Sequence, residues 1–478
     1  MAALAIVAAA LAGVLLLAPE TASLVGLATL YLNLPAIAIS KHGVPSLAAG
    51  AAILLLLAPF VIRLLRREPI VIDRTQIFLF AFFGAVLLST FAVQDVPDAL
   101  SWLQTFVTEG LLLYVAVVNL FRTPDRLRRA IDVVLVCGAI LGTLTLVQEA
   151  THSYERTFGG LAQRNLEFEV RDAAAAKDPF ASADEIRVSN RAGGPIGEPN
   201  RYAQILLVLL PLAFMRAKSA TRRTTALLAC AAGAFILAGV LLTYSRGAFV
   251  TLLVLVAILV ATRTLRIRYV AAGALAMFLA VLAFAPGYVL RMGTLQDMPG
   301  LLHGTRESNS DQVMRSRLTE TLAAWAVFTD HPIVGVGPGQ YAPVYSEKYM
   351  RDPDIAYKWI DRPRRAHNLY FELAAETGIL GVGTFLALVG LIQIRLWRAF
   401  RRWRHEREDL ANLALGFFVS ITGYLVSGVF LHLSYQRYYW LLLGLAAAAL
   451  QVLASEEMRT VRIRHAFENL RATAEPAR

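Results

Sequence analysis

Long apolar blocks dominate the chain and alternate with short polar connections. Each block is about 17 to 23 residues long, the length that crosses a bilayer core as a helix. Backbone polar groups in lipid must be hydrogen-bonded within the protein, so each block is expected to be helical. The pattern predicts an all-α polytopic transmembrane helical bundle of twelve or thirteen spans, since Pro19 and Pro35 interrupt the earliest blocks. The candidate spans are 2–18, 22–40, 45–63, 76–94, 101–121, 130–149, 201–216, 224–243, 247–262, 269–286, 376–397, 410–431 and 437–454.

Composition and charge agree with a membrane protein. Hydrophobic residues make up 57% of the 478 residues and charged residues 17%, which is too apolar for an ordinary soluble protein. The net charge of +11 lies in short clusters between the blocks, so it indicates orientation in a membrane rather than nucleic-acid binding. Both cysteines lie inside apolar blocks, which argues against a disulfide framework. The N-terminus lacks the basic region of a cleavable signal peptide.

The basic clusters predict which connections face the cytoplasm. The two long polar segments then face the opposite side, and the second of them is expected to be a large, partly helical loop domain. The clusters are Arg63/Arg66/Arg67, Arg122/Arg126/Arg128/Arg129, Arg216/Lys218/Arg222/Arg223, Arg263/Arg266/Arg268 and the run Arg395 to Arg407.

Six segments follow from this topology. They are N-terminal transmembrane helices at 1–149, a loop at 150–200, central transmembrane helices at 201–286, the large loop domain at 287–366, C-terminal transmembrane helices at 367–454 and a cytoplasmic tail at 455–478.

One histidine stands where the second long segment meets a predicted span. A lone histidine is more often structural, but His367 follows several cations and precedes Asn368, where a helix is expected to begin. The positive end of a helix dipole disfavours the imidazolium, which keeps the ring available as a base. Gly378 and Gly381, on the same helical stripe, are expected to let another helix pack closely beneath it. The neighbouring cations are Arg351, Lys358, Arg362, Arg364 and Arg365.

Two arginines are candidates for binding phosphate. Arg246 lies at the outer end of a predicted span, and Arg191 opens the motif that ends in Pro199-Asn200. An arginine at a helix end often only extends to the interface, whereas a charge beside the membrane is a functional candidate. Guanidinium binds phosphate oxygens in pairs and keeps its charge, so both arginines suit a pyrophosphate leaving group.

The second long segment offers further candidates. A helix predicted from about 311 to 330 carries Arg315 and Arg317, which either reinforce phosphate binding or form surface ion pairs. Aromatic rings such as Tyr341 suit stacking on sugars, although a small core or an interfacial belt explains them equally.

Two other patterns carry little weight. Asp352-Pro-Asp354 has the spacing of a nucleotide-sugar transferase metal pair, but this chain lacks the soluble α/β domain in which that pair works, so an acidic turn is favoured. The glycine-rich stretch Gly335–Gly339 follows no βαβ pattern, so it does not indicate nucleotide binding. The free energy for a reaction on the outer face is therefore expected to reside in the substrate.

Ordered motifs between residues 190 and 450 carry a resemblance to a known family: Arg191 through Pro199-Asn200, Thr243-Tyr-Ser-Arg246-Gly, His331-Pro-Ile-Val-Gly-Val-Gly337, and His367-Asn368 with Gly378 and Gly381. Together they resemble the O-antigen ligase family, within the superfamily of O-antigen polymerases and ligases. The resemblance implies a glycosyltransferase of the bacterial inner membrane whose active site faces the periplasm. It implies transfer of a polysaccharide from undecaprenyl pyrophosphate to a sugar of the lipid A–core, among membrane lipids and without metal, cofactor or nucleic acid.

The residues and the resemblance together predict a direct, inverting transfer. His367 is expected either to accept the proton of the attacking hydroxyl or only to orient the acceptor, while Arg191 and Arg246 stabilise the departing pyrophosphate. The other predicted substrate-binding residues are Arg315, Arg317, Arg364, Arg365, Asn200, Asn368 and Tyr341.

Three alternatives stay open at this point. The nearest is a polysaccharide polymerase or a protein O-oligosaccharyltransferase, which shares the donor and differs in the acceptor. A transporter of lipid-linked sugars would have inverted repeats and charges near mid-membrane, which the sequence does not display. A purely structural membrane partner would not need a histidine beside so many arginines.

Overall fold

The computed structural model describes residues 18–164, 191–284, 309–357, 360, 363–433 and 436–474. These parts are mostly helical, with one small antiparallel sheet formed by β1 (Gln163–Arg164) and β2 (Ala192–Gly194). The helices are α1 (Pro19–Tyr31), α2 (Leu34–His42), α3 (Ser46–Leu65), α4 (Arg74–Ser89), α5 (Val96–Leu120, with a π-helical stretch at Phe106–Leu112), α6 (Pro124–Ala150), α7 (Pro199–Leu207), α8 (Leu209–Lys218), α9 (Arg223–Leu241), α10 (Arg246–Ala261), α11 (Ile267–Phe284), α12 (Asn309–Asp330), α13 (Ser346–Met350), α14 (Leu369–Trp403), α15 (Glu408–Ser427) and α16 (Gln436–Ala474).

The predicted all-α polytopic architecture is confirmed. Among the described residues, seven helices are long and apolar enough to cross a membrane, or eight if the bent pair α1 and α2 is one span. The seven are α4, α5, α6, α9, α14, α15 and α16, while α10 is a shorter apolar helix. The predicted first span at 2–18 lies outside the described residues apart from its last residue, so the total of twelve or thirteen stays a prediction.

One predicted span near the N-terminus is bent. The block at 22–40 forms α1 and α2, whose axes meet at 54°. Asn33 between them has a left-handed φ of 59°, and Pro35 has no amide hydrogen to continue a helical ladder. The block therefore divides at the residues that its sequence marks as breakers.

Three other predicted spans have different ends in the structure. The block at 201–216 divides into α7 and α8 at Val208, because Pro211 cannot donate to the carbonyl four residues earlier. The block at 376–397 is part of the longer α14, and the block at 437–454 lies in α16, which extends into the predicted tail as far as Ala474.

The basic connections lie together at one end of the bundle, which we call the basic end. Arg126 of α6 pairs with Glu20 at the start of α1. Lys218 at the end of α8 lies 2.7 Å from Glu408 at the start of α15. Ends of helices that are distant in sequence therefore share one face, as the charge pattern requires.

Asp73 ties three helices together near this end. Its Oδ1 accepts the amide hydrogen of Thr75 at 2.8 Å and so caps α4. Its Oδ2 lies 3.1 Å from Arg395 Nη1 of α14 and accepts a hydrogen bond from Gln451 Nε2 of α16 at 2.6 Å. One carboxylate thus fixes the relative height of three apolar helices.

The described parts of the long polar segments lie at the other end, which we call the site end. His42 at the end of α2 lies 3.0 Å (Nε2) from the carbonyl oxygen of Gly159. The buried side chain of Gln340 accepts the amide hydrogens of Gln94 and Asp95, at 3.1 and 2.7 Å. The second long segment is therefore anchored on the turn between α4 and α5.

An aromatic cluster fills the centre of the bundle. Phe82, Phe106, Phe385, Tyr439 and Trp440 come from four different helices and are all fully buried. Ring centroids are 5.4 Å apart for Phe82 and Phe106 and 5.6 Å apart for Phe385 and Tyr439. These contacts fix α14 and α16 against α4 and α5, so the site end rests on a packed core.

The segment after α12 docks backbone to backbone on α14. Val336 N donates to Ala375 O at 2.9 Å, and Ile379 N donates to Pro332 O at 2.8 Å. The docking is possible because Gly378 interrupts α14 with φ 62° and ψ −166°, a conformation that is essentially confined to glycine. The backbone N–H and C=O groups that lose their helical partners at the break therefore form hydrogen bonds with this segment.

The sequence predicted that Gly378 and Gly381 let another helix pack closely beneath His367. This prediction is wrong about what packs against them. A Cβ on Gly378 would lie 2.2 Å from the carbonyl oxygen of Ile333, so this glycine admits the loop rather than another helix. A Cβ on Gly381 would lie 1.9 Å from Thr377 Oγ1 of the same helix. The break at Gly378 also ends the helical stripe that the sequence suggested.

Substituting Gly378 tests this junction. We expect Gly378→Ala to lower the free energy of unfolding by at least about 2 kcal/mol, because the new Cβ meets backbone and the residue must adopt a glycine conformation. The matched control is Gly383→Ala, five residues along α14, where an added Cβ meets nothing within 4 Å. Thermal melting in detergent measures both variants, and equal melting temperatures would contradict the proposed junction.

Candidate active site

Three helices begin at the site end around one region. α7 follows Glu198, α10 is capped by Ser245, and α14 is capped by Asn368, whose Oδ1 accepts two backbone hydrogen bonds at 3.0 and 3.1 Å. The start of a helix carries unpaired N–H groups and partial positive charge. Three such ends in one region favour an anionic ligand.

Arg191 joins two of these helix starts. It is 6% exposed, its Nε donates to Thr243 O at 2.7 Å, and its Nη2 donates to Asn200 Oδ1 at 2.9 Å. Two of the predicted site residues, Arg191 and Asn200, are therefore in direct contact. Arg246 begins α10 three residues after Thr243, so the structure brings the two predicted phosphate-binding motifs together.

A small pocket opens between these motifs and α12. Arg317 of α12 is among its walls, whereas Arg315, two residues earlier, is half-buried outside them. Burial lowers the pKa of Arg317, and the carboxylates of Glu320 and Glu198 oppose that effect, so the guanidinium stays charged. The pocket is lined by Asn200, Ser245, Gly247, Ala248, Arg317, Ser427, Phe430 and Leu431.

His367 lies beside this pocket in an unusual backbone conformation. Its φ of 48° is left-handed, which L-residues other than glycine rarely adopt. Its Nε2 is 3.7 Å from Glu320 Oε2, and its ring centroid is 5.6 Å from that of His432. Its position immediately before the first turn of α14 agrees with the prediction from the sequence.

Burial and surrounding cations keep His367 neutral. Burial is the largest effect, and the positive charges of Arg317, Arg201, Arg364 and Arg365 add to it, so that the pKa falls to about 3. Four guanidinium groups from three parts of the chain therefore act on one imidazole. The sequence predicted a neutral ring from the helix dipole, and in the structure burial and these arginines lower the pKa in the same direction.

Four buried polar atoms in this region have no hydrogen-bond partner within the part of the chain that the structure describes. They are His367 Nδ1, Arg201 Nη2, Glu320 Oε2 and His432 Nδ1. Leaving a buried polar atom unpaired costs about 1–3 kcal/mol, so such a cluster is the mark of a site that a ligand or water completes. Donors and acceptors are both present, which suits a ligand with phosphate oxygens and hydroxyl groups.

Arg201 is the most important residue that the sequence analysis missed. Only 2% of its surface is exposed. Its Nε lies 2.7 Å from Glu198 Oε2, and its Nη1 donates to His432 O at 2.7 Å. The signal was available, because Arg201 directly follows the Pro199-Asn200 motif and begins an apolar helix, as Arg246 does.

Glu320 and His432 were also missed. Glu320 is one helical turn from Arg317, and burial raises its pKa while Arg364 opposes that rise. His432 lies in the short connection between two predicted spans at the site end, and burial and Arg201 lower its pKa. Both residues could have been identified from the sequence, because each is a charged or titratable side chain in a connection predicted to lie on the outer side.

Tyr341 does not provide a ring for sugar stacking. It is fully buried, and its hydroxyl donates to Glu320 O at 2.9 Å. The alternative interpretation of this aromatic residue as part of a small core is therefore correct. Its buried contact fixes the segment after α12 against the helix that carries Glu320.

Three other predicted binding residues have structural partners. Arg365 donates to Glu372 Oε1 at 2.8 and 2.6 Å, and Arg364 Nη1 lies 3.3 Å from Glu320 Oε1. Asn368 caps α14 and also donates to a carbonyl of the turn after α15 at 3.2 Å. The two arginines act on His367 through their charge, while Asn368 holds the backbone in place.

The acidic pair in the second long segment forms a turn, as favoured from the sequence. Asp354 N donates to Asp352 Oδ1 at 3.0 Å. Within the described ranges, no group of three or more His, Cys, Asp or Glu side chains is arranged to hold a metal ion.

The protonation of His367 can be measured directly. We expect its imidazole to be neutral at pH 5, because the folded-state pKa of about 3 lies below that pH. Nitrogen NMR of protein labelled on histidine measures the state, and His367→Gln identifies the resonance. A protonated ring at pH 5 would contradict the described electrostatics.

The same shift determines the sign of a pH effect on stability. The unfolded chain, with a histidine pKa near about 6.5, binds the proton more readily than the folded protein does. The stabilisation is therefore complete above about pH 6.5 and is lost as the pH falls towards 3. Melting temperatures between pH 7 and 4 should fall more steeply for the native protein than for His367→Gln.

Comparison with known proteins identifies part of the chain. Residues 231–386 match the family model described as O-antigen ligase. No curated protein sequence matches the chain. The matched segment includes Arg246, Arg317, Glu320, His367 and the Gly378 junction. The resemblance stated from the motifs is thus confirmed over residues 231–386, which match the O-antigen ligase family within a multi-pass, helical membrane protein.

Proposed function

We propose that this protein is an O-antigen ligase, which transfers a polysaccharide from undecaprenyl pyrophosphate to a sugar of the lipid A–core. The observation that carries the proposal is the buried cluster around His367, where a neutral imidazole with an unpaired nitrogen lies among several guanidinium groups. A lipid-linked pyrophosphate supplies both the anion and the activated sugar that such a cluster suits. Family membership supports the same reaction class.

The arginines of the site are suited to bind the pyrophosphate of the glycan donor. Arg201 Nη2 is buried and unpaired among the described residues, and Arg317 lines the pocket beside the start of α10. Guanidinium donors and helix N-termini stabilise negative charge that develops on a leaving pyrophosphate. We assign Arg201, Arg246 and Arg317 to this group, with Arg191 positioning Asn200 and the turn that leads into α10.

The imidazole of His367 is suited to act on the hydroxyl group of the acceptor sugar. The acceptor hydroxyl oxygen forms a bond to the anomeric carbon while the bond from that carbon to the pyrophosphate oxygen breaks, and its electron pair leaves with the pyrophosphate. The proton of the hydroxyl passes to His367, whose unpaired Nδ1 is the available atom. Attack from the opposite face inverts the anomeric centre. Glu320, 3.7 Å from Nε2, stabilises the imidazolium that forms.

The low pKa of His367 has a consequence for the order of events. An imidazole with a pKa of about 3 is a weak base. A bound pyrophosphate offsets the positive charges of Arg201 and Arg317, and this raises the pKa of the neighbouring ring. The histidine therefore becomes an effective base only when the donor is in place, which couples proton acceptance to donor binding.

The orientation follows from the two ends of the bundle. The basic end carries the arginine and lysine connections, and the positive-inside rule assigns that end to the cytoplasm. The site end then faces the periplasm of a bacterial inner membrane. The lipid tail of the donor remains in the bilayer while its pyrophosphate reaches the pocket beside α10 and α12.

A competing-acceptor assay tests the function. Purified protein receives an undecaprenyl-pyrophosphate-linked glycan together with lipid A–core, free lipid-linked glycan and a pilin-like protein. We expect the glycan to appear on lipid A–core. Products on the free glycan or on the protein would instead identify a polymerase or a protein O-oligosaccharyltransferase and would overturn the ligase assignment.

Substitutions in the same assay test the assigned roles. His367→Ala is expected to lower transfer by at least about 100-fold, and Arg201→Gln or Arg246→Ala by about 100- to 1,000-fold. Arg351→Gln is the matched control, because this exposed arginine of the same segment pairs with Glu347 outside the site.

Monodisperse elution and native melting temperature must accompany each loss of activity, so that misfolding is excluded. Full activity of His367→Ala would remove the base assignment. If His367→Gln, which keeps a hydrogen-bonding side chain, retains most of the activity, His367 only orients the acceptor and the arginines supply most of the rate.

A further inference from the structure

A second pocket lies at the basic end of the bundle, opposite the candidate active site. It opens between α1, α3, the end of α5 and the start of α6. Its walls combine apolar side chains with arginines and glutamates. They are Pro19, Glu20, Ser23, Leu24, Pro59, Ile62, Arg63, Arg66, Glu68, Leu120, Phe121, Arg126 and Arg129.

Arginines outnumber carboxylates among these walls by four to two. Glu20 contacts Arg126 and lies 3.8 Å from Arg129. The other carboxylate, Glu68, lies 2.7 Å from an arginine of α3 and accepts its hydrogen bond. Both carboxylates are thus engaged, and the pocket keeps an excess of two positive charges.

Two of the four arginines extend towards solvent. Arg66 is exposed and has no ion pair among the described residues, and the Arg129 side chain is 64% exposed. A neighbouring arginine just outside the pocket, Arg122, has a pKa lowered by its own burial and then by the charge of Arg63. The positive charges of Arg122 and Arg63 therefore repel each other, and an anion beside Arg63 would relieve that repulsion.

The floor and one side of the pocket are apolar. Leu120 and Phe121 are nearly fully buried, while Leu24 and Ile62 are half-buried. An apolar wall that adjoins a cationic rim matches a molecule with an anionic head and a hydrocarbon chain. Inorganic phosphate would use the rim and leave the apolar wall in contact with water.

We propose that this pocket binds an anionic phospholipid, with the phosphodiester of the headgroup among Arg63, Arg66, Arg126 and Arg129 and an acyl chain along Leu24 and Ile62. Basic pockets between helices at the cytoplasmic surface of a membrane suit such headgroups. The positive-inside rule assigns the basic end to that surface. The site is independent of the transfer reaction, because it lies at the other end of the bundle.

Native mass spectrometry of the delipidated, full-length protein in detergent tests the proposal. The probes are phosphatidylglycerol, cardiolipin, phosphatidylcholine and inorganic phosphate, each titrated separately. The pocket variant is Arg66→Gln with Arg129→Gln, chosen because these two arginines are exposed. The matched control is Arg222→Gln with Arg223→Gln, two exposed arginines of the same end outside the pocket.

We expect the anionic lipids to bind more tightly than phosphatidylcholine, and the pocket variant to weaken that binding on the order of tenfold. The control variant should leave the affinity unchanged. Equal losses in the two variants would overturn the proposal, because they would indicate a general surface charge effect. Binding of inorganic phosphate as tight as that of the anionic lipids would overturn the assignment to a lipid.

A charge-reversal variant, Arg129→Glu, keeps the test decisive if the double variant elutes as an aggregate. It is expected to lose binding of the anionic lipids at least as strongly. Undiminished lipid binding by a monodisperse Arg129→Glu protein would overturn the proposal.

Discussion

The candidate site depends on positive charge that is buried without being fully neutralised. Arg201 is almost completely buried and pairs with Glu198, yet one of its nitrogens has no partner among the described residues. Burying a charge in this way costs free energy, and the surrounding fold has to supply it. The packed aromatic core beneath the site and the capped helix starts around it provide that stability. The same uncompensated charge adds to burial, which is the larger cause, in keeping His367 neutral.

The geometry of the site rests on one interruption in a long helix. Gly378 breaks α14, and the segment after α12 fills the break with backbone hydrogen bonds. The helix that carries Glu320 is thereby fixed relative to the start of α14, which His367 immediately precedes. The break at Gly378 thus helps to set the distance between the Glu320 carboxylate and the His367 imidazole. Irregular backbone in an apolar helix is tolerated here because protein covers it.

Arginine has different roles at the two ends of the bundle. At the basic end, residues such as Arg126 pair with carboxylates or extend into solvent, and they define an orientation in the membrane. At the site end, Arg191 and Arg201 are buried and bind backbone carbonyls, so their positions are fixed to within a hydrogen bond. In the sequence, the arginines of both ends appear alike, as an arginine beside an apolar helix. They differ in how deeply the structure buries them.

The sequence by itself determined the fold class, the segregation of charge and the start of α14 at Asn368, and it marked His367 and Arg246 as candidate site residues. These features are local, since they depend on the length of apolar blocks, on helix caps and on residues next to a predicted span. Only the tertiary structure decided that Arg201, Glu320 and His432 surround the imidazole and that Tyr341 is buried. Those contacts join separate parts of the chain, such as Arg201 and His432, which are 231 positions apart, and no periodicity or motif specifies which helix ends will meet.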